Sequence, residues 1–113
     1  MKEKVLFISN PTALAGGPFP KLNFPLGIGY LMGEMRAAGE YDVECLDYQL
    51  PYVNDHSVIQ KLQENSYVLV GIKGYAVDYL WAKQLVYLIR EKIGDHVRIV
   101  VGGPLASYSY GVV

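Results

Sequence analysis

The chain has 113 residues, of which 51% are hydrophobic and 19% are charged, and its formal net charge is −1 at pH 7. These values indicate one globular domain with a single core, and they exclude a disordered chain. They argue against a nucleic-acid partner, which needs a basic surface, and against a membrane span, which needs a longer apolar run. The single cysteine, Cys45, excludes an internal disulfide, and the composition favours a reducing, cytoplasmic compartment.

The first predicted element is a central parallel strand over residues 5–8, which form an uninterrupted apolar run. Residues 10–25 follow with four prolines and the pair Gly16-Gly17, a density that excludes regular structure. A loop of this length in a small domain is usually functional.

A first helix is predicted over residues 25–38, because Pro25 suits a first helical turn and apolar residues recur at helical spacing. Gly39 is expected to end this helix in a left-handed conformation. Gly29 and Gly33 lie inside the helix, where they predict close packing against the sheet.

The middle of the chain predicts a strand, a helix and a second central strand. Residues 43–47 are short and half polar, which is typical of an edge strand. Ser57 and Gln60 have the spacing of a capping box for a short helix. Residues 68–72 are fully apolar and predict the third strand.

The third helix has the clearest pattern, with Asp78 as its predicted N-cap and Gly94 at its end. Its apolar residues recur at helical spacing: Ala82, Leu85, Val86, Ile89 and Ile93. A fourth strand is predicted over residues 97–101, and a further helix from Pro104.

Strands that alternate with helices predict an α/β fold, a flavodoxin-like or Rossmann-like three-layer sandwich with a parallel sheet in the order 2-1-3-4. Ligands bind such sheets at the carboxyl ends of the strands, near the point where the strand order reverses. The loops at residues 10–25, 73–77 and 102–107 therefore predict a site. The pair Gly102-Gly103 fits either close approach of backbone to a ligand or a tight strand-to-helix turn.

Familiar nucleotide-binding motifs are absent from the sequence. Gly27, Gly29 and Gly33 resemble a dinucleotide fingerprint, but no strand directly precedes them and their spacing is one residue too long. No G-x-x-x-x-G-K-[ST] phosphate loop occurs, and the loop after the first strand lacks a hydroxyl-rich segment. A small-nucleotide or flavin binder is therefore only a third alternative.

Few single side chains are candidates for catalysis, metal ligation or ligand contact. His56 and His96 are expected in surface turns away from the ligand edge, and Cys45 is expected to be a small core residue. Lys73, at the end of the third strand, could face an anionic group, and Tyr75 is placed to touch a ligand.

Several segments form a pattern that covers nearly the whole chain. They are the strand end at Asn10-Pro11, the segment Phe24-Pro25-Leu26-Gly27-Ile28-Gly29-Tyr30-Leu31, the strand ends Leu46-Asp47 and Val70-Gly71-Ile72, and the segment Val100-Val101-Gly102-Gly103-Pro104-Leu105-Ala106-Ser107. The pattern resembles the cobalamin-binding domains that lie amino-terminal to radical S-adenosylmethionine modules. Residues 1–113 are therefore expected to form one such domain, truncated before its fifth strand and helix.

This resemblance implies a cobalamin whose corrin ring lies over the carboxyl ends of the strands. The implied cofactor-binding residues are Ser9, Asn10 and Pro11 near the ring, Gly71, Lys73, Gly74 and Tyr75 beside the nucleotide tail, and Gly102, Gly103 and Pro104 on the other side of the tail. Leu105 stands where the family often has histidine.

Two departures from the pattern limit the implied chemistry. The Asp-x-His-x-x-Gly motif, whose histidine ligates cobalt in relatives such as methionine synthase, is absent after the first strand, so cobalamin is expected to lack a protein histidine ligand. No Cys-x-x-x-Cys-x-x-Cys occurs, so this chain is expected to hold no iron–sulfur cluster. The resemblance therefore implies a module that binds without catalysing a reaction itself, alongside a radical S-adenosylmethionine domain in cis or in trans.

The expected truncation would leave the fourth strand as an exposed apolar edge, which favours pairing with a second copy of the chain. A homodimer through that strand or the chain end is therefore expected. The alternative function is an interaction or structural domain that keeps the fold but has lost the ligand.

Overall fold

The computed structural model describes residues 2–11, 26–74 and 76–102. Its strands are β1 (Glu3–Ser9), β2 (Tyr41–Asp47), β3 (Tyr67–Lys73) and β4 (Arg98–Gly102). Its α-helices are α1 (Leu26–Ala38), α2 (Asp55–Glu64) and α3 (Tyr79–Lys92), and a short 3₁₀ turn at Ala76–Asp78 precedes α3. The proline-rich loop and the helix predicted from Pro104 fall outside the described residues.

The four strands form one parallel sheet in the order β2-β1-β3-β4. This order confirms the predicted flavodoxin-like α/β fold. Because the chain reaches β2 from β1 in one direction and β4 from β3 in the other, the strand order reverses between β1 and β3. In folds of this order, ligands bind in a crevice at the carboxyl edge near the point of reversal.

One face of the sheet, which we call the α2–α3 face, packs against both α2 and α3. The strands contribute Leu6 and Ile8 from β1 and Val70 and Ile72 from β3, all of them buried. The helices contribute Val58, Ile59, Leu62, Ala82, Leu85 and Ile89. The predicted apolar positions of the third helix are thus confirmed, with Val86 and Ile93 partly buried against the same core.

The opposite face, which we call the α1 face, has a much smaller core. Val5 and Phe7 of β1, Val43 of β2 and Met32 of α1 form its buried cluster. Of the described helices, α1 alone packs on this face, mainly beside β2, and the Val100 side chain at the β4 end is 55% exposed.

A β-bulge interrupts the pairing of β1 with β3. Lys4 pairs with Tyr67 but Val5 pairs with Leu69, so that Val68 is the extra residue. The bulge places Tyr67 on the α2–α3 face, where its hydroxyl donates a 2.6 Å hydrogen bond to Glu44.

Glu44 is the centre of a polar network at this end of the face. Lys61 of α2 forms a 2.9 Å ion pair with Glu44, and Lys4 lies 3.9 Å away and bonds Asn65. Burial opposes ionisation of Glu44, but the bonds from Tyr67 and Lys61 and the charge of Lys4 outweigh it and lower the pKa of Glu44. The network therefore joins α2 to the sheet through an ionised carboxylate.

Helix ends follow the sequence in part. Gly39 and Gly94 adopt φ angles of 74° and 115°, which confirms them as left-handed terminators. The predicted capping box is wrong by three residues: Asn54 is the N-cap of α2, and Ser57 is the partner that reciprocates its hydrogen bond. Close packing at Gly33 is also wrong, because the residue is exposed and an added Cβ would meet nothing within 4 Å.

Asp78 is the N-cap residue of α3, as predicted, but its side chain forms no capping hydrogen bond. Among the described helices, none combines the length and the apolar character that crossing a membrane requires.

Candidate functional site

Four residues at the carboxyl edge of the sheet occupy one register row. Asp47 pairs with Ser9, Ser9 pairs with Lys73, and Lys73 pairs with Gly102. The row spans three strand spacings, about 14 Å. We call these four residues the rim row. The pairing brings together three predicted site residues that are distant in sequence.

Asn10 and Pro11 follow the rim row on the β1 side, and Gly74 follows it on the β3 side. Ser9 and Asn10 are buried although both are polar, and Gly74 is buried as well, whereas Pro11 is exposed. These residues therefore lie at the carboxyl edge where the strand order reverses, the place at which a ligand crevice is expected. Tyr75, Gly103 and Pro104 lie outside the described residues.

Gly71 stands apart from the other predicted site residues. It lies two positions before Lys73, about 7 Å below the rim row, and pairs with Phe7 and Val100. An added Cβ would stand 2.7 Å from Phe7 Cδ1 and 2.9 Å from Cε1. The missing side chain therefore makes room for the Phe7 ring, which fills the space over Gly71.

Gly102 has the opposite environment. No described atom lies within 4 Å of an added Cβ there, so the described residues leave open space at the carboxyl end of β4. This space fits close approach of a ligand to the backbone, one of the two alternatives for the glycine pair.

Comparison with protein families decides what kind of domain this is. The family model of the B12 binding domain matches residues 12–112. The chain belongs to the B12-binding domain family. Neither the curated proteins nor the solved structures give a match. Membership confirms the predicted domain type and supports cobalamin as the ligand.

The described residues of this B12-binding domain fit a cofactor at the carboxyl edge. Backbone is accessible at Gly102, polar residues border the crevice, and Lys73 supplies a positive charge in the rim row. One row below the rim row, the buried ring of Phe7 covers the α1 face over Gly71. A cofactor at the carboxyl edge would therefore contact the rim row and not the strands below it on the β1 side.

Sequence reasoning missed two residues at this edge of the B12-binding domain. Asp47 is in the rim row, where one carboxylate oxygen accepts a 3.0 Å hydrogen bond from the amide of Gln49. Tyr48 follows it, and its amide donates to the carbonyl of Ser9 at 3.0 Å. Asp47 could have been predicted at this edge, because it ends a predicted strand. Tyr48 could not, because its position depends on contacts between segments that are distant in sequence.

The two histidines and the cysteine contribute little to this edge of the sheet. His96 is exposed in the turn before β4, as predicted, but His56 lies in the first turn of α2, on the carboxyl side of the sheet, which corrects its predicted place away from the ligand edge. Burial, and to a smaller extent the charge of Asp47, raises the pKa of Cys45 to about 11, in keeping with a core thiol. Within the described ranges, no group of three metal-ligating side chains is present.

Proposed function

We propose that this B12-binding domain binds cobalamin across the carboxyl edge of its sheet. The observation that carries the proposal is the rim row, in which Ser9, Lys73 and Gly102 lie side by side next to open space. When bound, cobalamin supplies a cobalt centre for group-transfer chemistry.

Different residues of the chain would contact different parts of the cofactor. Ser9, Asn10 and Pro11 would border the corrin ring. Gly74 and Gly102 would let backbone approach the ligand, because neither carries a side chain. The ammonium of Lys73 would favour the anionic phosphate of the nucleotide tail. The neighbouring Tyr75, Gly103 and Pro104 remain in the proposed site on sequence grounds. Gly71 would contribute indirectly, because its lack of a side chain makes room for the Phe7 ring one row below the site.

Equilibrium dialysis against hydroxocobalamin tests this proposal. Retention by the wild-type chain is expected, and Gly102→Val should weaken it by about tenfold or more because a branched side chain would fill the open space. Gly33→Val is the matched control, since Gly33 also has open space around it but lies on α1, away from the edge. No retention by the wild-type chain at several-fold protein excess would exclude cobalamin as its ligand.

We further propose that the cobalt receives no histidine from this chain. The absence of the Asp-x-His-x-x-Gly motif supports this, and His56 is the one histidine on the carboxyl side of the described sheet. The absorption spectrum of bound hydroxocobalamin should therefore be the same for the wild type and His56→Ala. A spectral change on that substitution would assign His56 as a ligand.

The wider context we propose is a radical S-adenosylmethionine enzyme, in cis or in trans, for which this chain binds the cofactor without catalysing the reaction. The sequence supports this through the segments around Pro25 and Gly102 and through its single cysteine, which is too few for an iron–sulfur cluster. The reading frame beyond Val113 tests the cis arrangement: a three-cysteine motif there is the expected finding.

We also propose a homodimer through β4. The support is that β4 is an edge strand of the described sheet and that Val100 on it is 55% exposed. Light scattering at high micromolar concentration should give twice the monomer mass, and Val100→Lys should give the monomer. A monomeric wild-type chain would contradict the dimer and leave cobalamin binding unaffected.

The alternative function is an interaction domain that no longer binds cobalamin. Three exposed apolar side chains before and along α3, Val77, Leu80 and Tyr87, favour it. The dialysis experiment separates the two functions, since an interaction domain would retain no hydroxocobalamin.

A further inference from the structure

Two aromatic side chains meet at the carboxyl edge on the α2–α3 face. Tyr48 follows β2 directly, and Trp81 lies in the first turn of α3. Their ring centroids are 5.1 Å apart and the ring planes are inclined by 74°, which is an edge-to-face contact. Such pairs contribute about 0.5–1.5 kcal/mol beyond the area that they bury.

Tyr48 is held from two further directions. Its hydroxyl donates a 2.6 Å hydrogen bond to a carboxylate oxygen of Asp55, the first residue of α2. Its amide extends the pairing of β1 with β2 by donating to the Ser9 carbonyl at 3.0 Å. Tyr48 therefore connects the ends of β1 and β2 with the starts of α2 and α3.

This set of contacts spans the two sides of the proposed site. The β1 side is fixed where Tyr48 bonds Ser9, one residue before Asn10. On the β3 side the chain runs through Lys73 and Gly74 and the 3₁₀ turn into α3, where Trp81 is the third residue. The aromatic contact therefore helps to fix the start of α3, and with it the 3₁₀ turn at Ala76–Asp78, relative to the ends of β1 and β2.

The contact is stable to pH. Burial, together with the hydrogen bond to Asp55, raises the pKa of Tyr48 far above its ordinary value, so the hydroxyl remains a donor under all ordinary conditions. The side chain of Trp81 opposes a part of this rise in the pKa of Tyr48, which shows that the indole lies against the Tyr48 hydroxyl as well as against its ring.

We propose that Tyr48 and Trp81 are positioning residues for the cobalamin site, because their contact holds the start of α3, and with it the end of β3 at Lys73 and Gly74, in a fixed place relative to Ser9 and Asn10. This inference rests on the proposed function. Neither residue needs to touch the cofactor. Loss of the contact would lower the fraction of molecules in the binding-competent arrangement, and the apparent affinity would fall in proportion.

Three substitutions test the role of the contact. Trp81→Leu and Tyr48→Leu each remove it, and each should raise the dissociation constant for hydroxocobalamin by about threefold to tenfold, the factor that corresponds to an aromatic pair. Trp81→Phe keeps an aromatic edge against Tyr48 and should restore affinity to within about twofold of the wild type. Equilibrium dialysis suits all variants, since Trp81 is the single tryptophan and its emission is lost when it is replaced.

Ile89→Val is the matched control for a loss of packing alone. Ile89 is fully buried in the same helix and the same core, but it lies two turns further from the carboxyl edge. Thermal melting should fall for this variant while its dissociation constant stays unchanged.

Each other outcome has a definite meaning. If Ile89→Val weakens binding as much as Trp81→Leu, the aromatic pair has only a structural role and the inference is overturned. If Trp81→Phe binds as weakly as Trp81→Leu, the indole rather than the ring contact matters, and the positioning role is overturned as well. If the wild-type chain retains no hydroxocobalamin, the proposed function itself fails.

Discussion

The two faces of the sheet are built on different principles. On the α2–α3 face, large aliphatic side chains fill the space between the strands and two helices, with Leu6, Ile8 and Ile89 fully buried. On the α1 face the corresponding positions of β3 and β4 hold Gly71, Lys73, Val100 and Gly102, and the core is limited to the neighbourhood of β1 and β2. Among the described residues, most of the buried core thus lies on the α2–α3 face, whereas the β3 and β4 side of the α1 face carries glycines and a half-exposed valine.

The largest expected effect on the free energy of unfolding comes from a comparison of two substitutions to alanine, one on each face. Leu6→Ala on the α2–α3 face should lower the free energy of unfolding by about 2–5 kcal/mol, because it leaves a cavity in a filled core. Val100→Ala on the α1 face should change it by less than about 1 kcal/mol, since that side chain is half exposed. Urea unfolding measures both, and similar losses for the two variants would remove the distinction.

A smaller effect separates the two glycines of the α1 face. Gly71→Ala should cost about 1–3 kcal/mol, because the new methyl group would press on the Phe7 ring. Gly102→Ala should change stability by no more than about 0.5 kcal/mol, since its surroundings are open.

A double variant sharpens this result. Phe7→Leu removes the atoms that the Gly71 methyl group would strike, so the cost of Gly71→Ala should be smaller in that background than in the wild type. If Gly71→Ala lowers the free energy of unfolding equally in both backgrounds, as measured by urea unfolding, contact with the Phe7 ring is not the cause of its cost.

An acid titration examines the polar part of the α2–α3 face. Folding lowers the pKa of Glu44 from 4.5, so its ionised form stabilises the protein above that pH and the contribution is lost as the pH falls through the lowered value. Glu44→Gln should remove this part of the acid dependence, which amounts to less than about 1 kcal/mol for a partly exposed group. Unfolding free energies measured between pH 7 and pH 3 should therefore fall less steeply in the variant, and identical slopes would contradict the lowered pKa.

A further expected change, which leaves stability unaltered, concerns the reactivity of Cys45 on the α1 face. Because burial raises the pKa of this thiol to about 11, it should react with iodoacetamide at pH 8 roughly tenfold or more slowly in the folded chain than in the urea-unfolded chain. Mass spectrometry follows the reaction without interference, since the chain has one cysteine. Equal rates would show that α1 does not cover the β2 side of the face.

The sequence predicts what local patterns control. Apolar runs mark the central strands, helical spacing marks α3, and Gly39 and Gly94 mark two helix ends, all of which the structure confirms. The capping box at α2 was misread because Asn54 and Ser57 bond each other reciprocally, so that either residue looks like a cap.

Contacts across the sheet and between helices could not be predicted in the same way. Lys73 and Gly102 are predicted at one edge because parallel strands end there, whereas Ser9 is implied by the family resemblance. The Phe7 ring over Gly71 depends on the register of β1 with β3, and the contact of Tyr48 with Trp81 joins segments 33 positions apart in the numbering. No local pattern in the sequence specifies either one.

The bulge at Val68 has a consequence for insertions and deletions in the gene. A β-strand alternates sides at every residue, so one additional residue reverses the parity of everything on one side of it. Here the reversal is confined to Tyr67 at the start of β3, while residues 69–73 keep their sides. Deletion of Val68 would therefore leave Tyr67 opposite Lys4 and on the α2–α3 face, with the orientation of Gly71 and Lys73 intact, so that the strand can lose this one codon without exchanging its two surfaces.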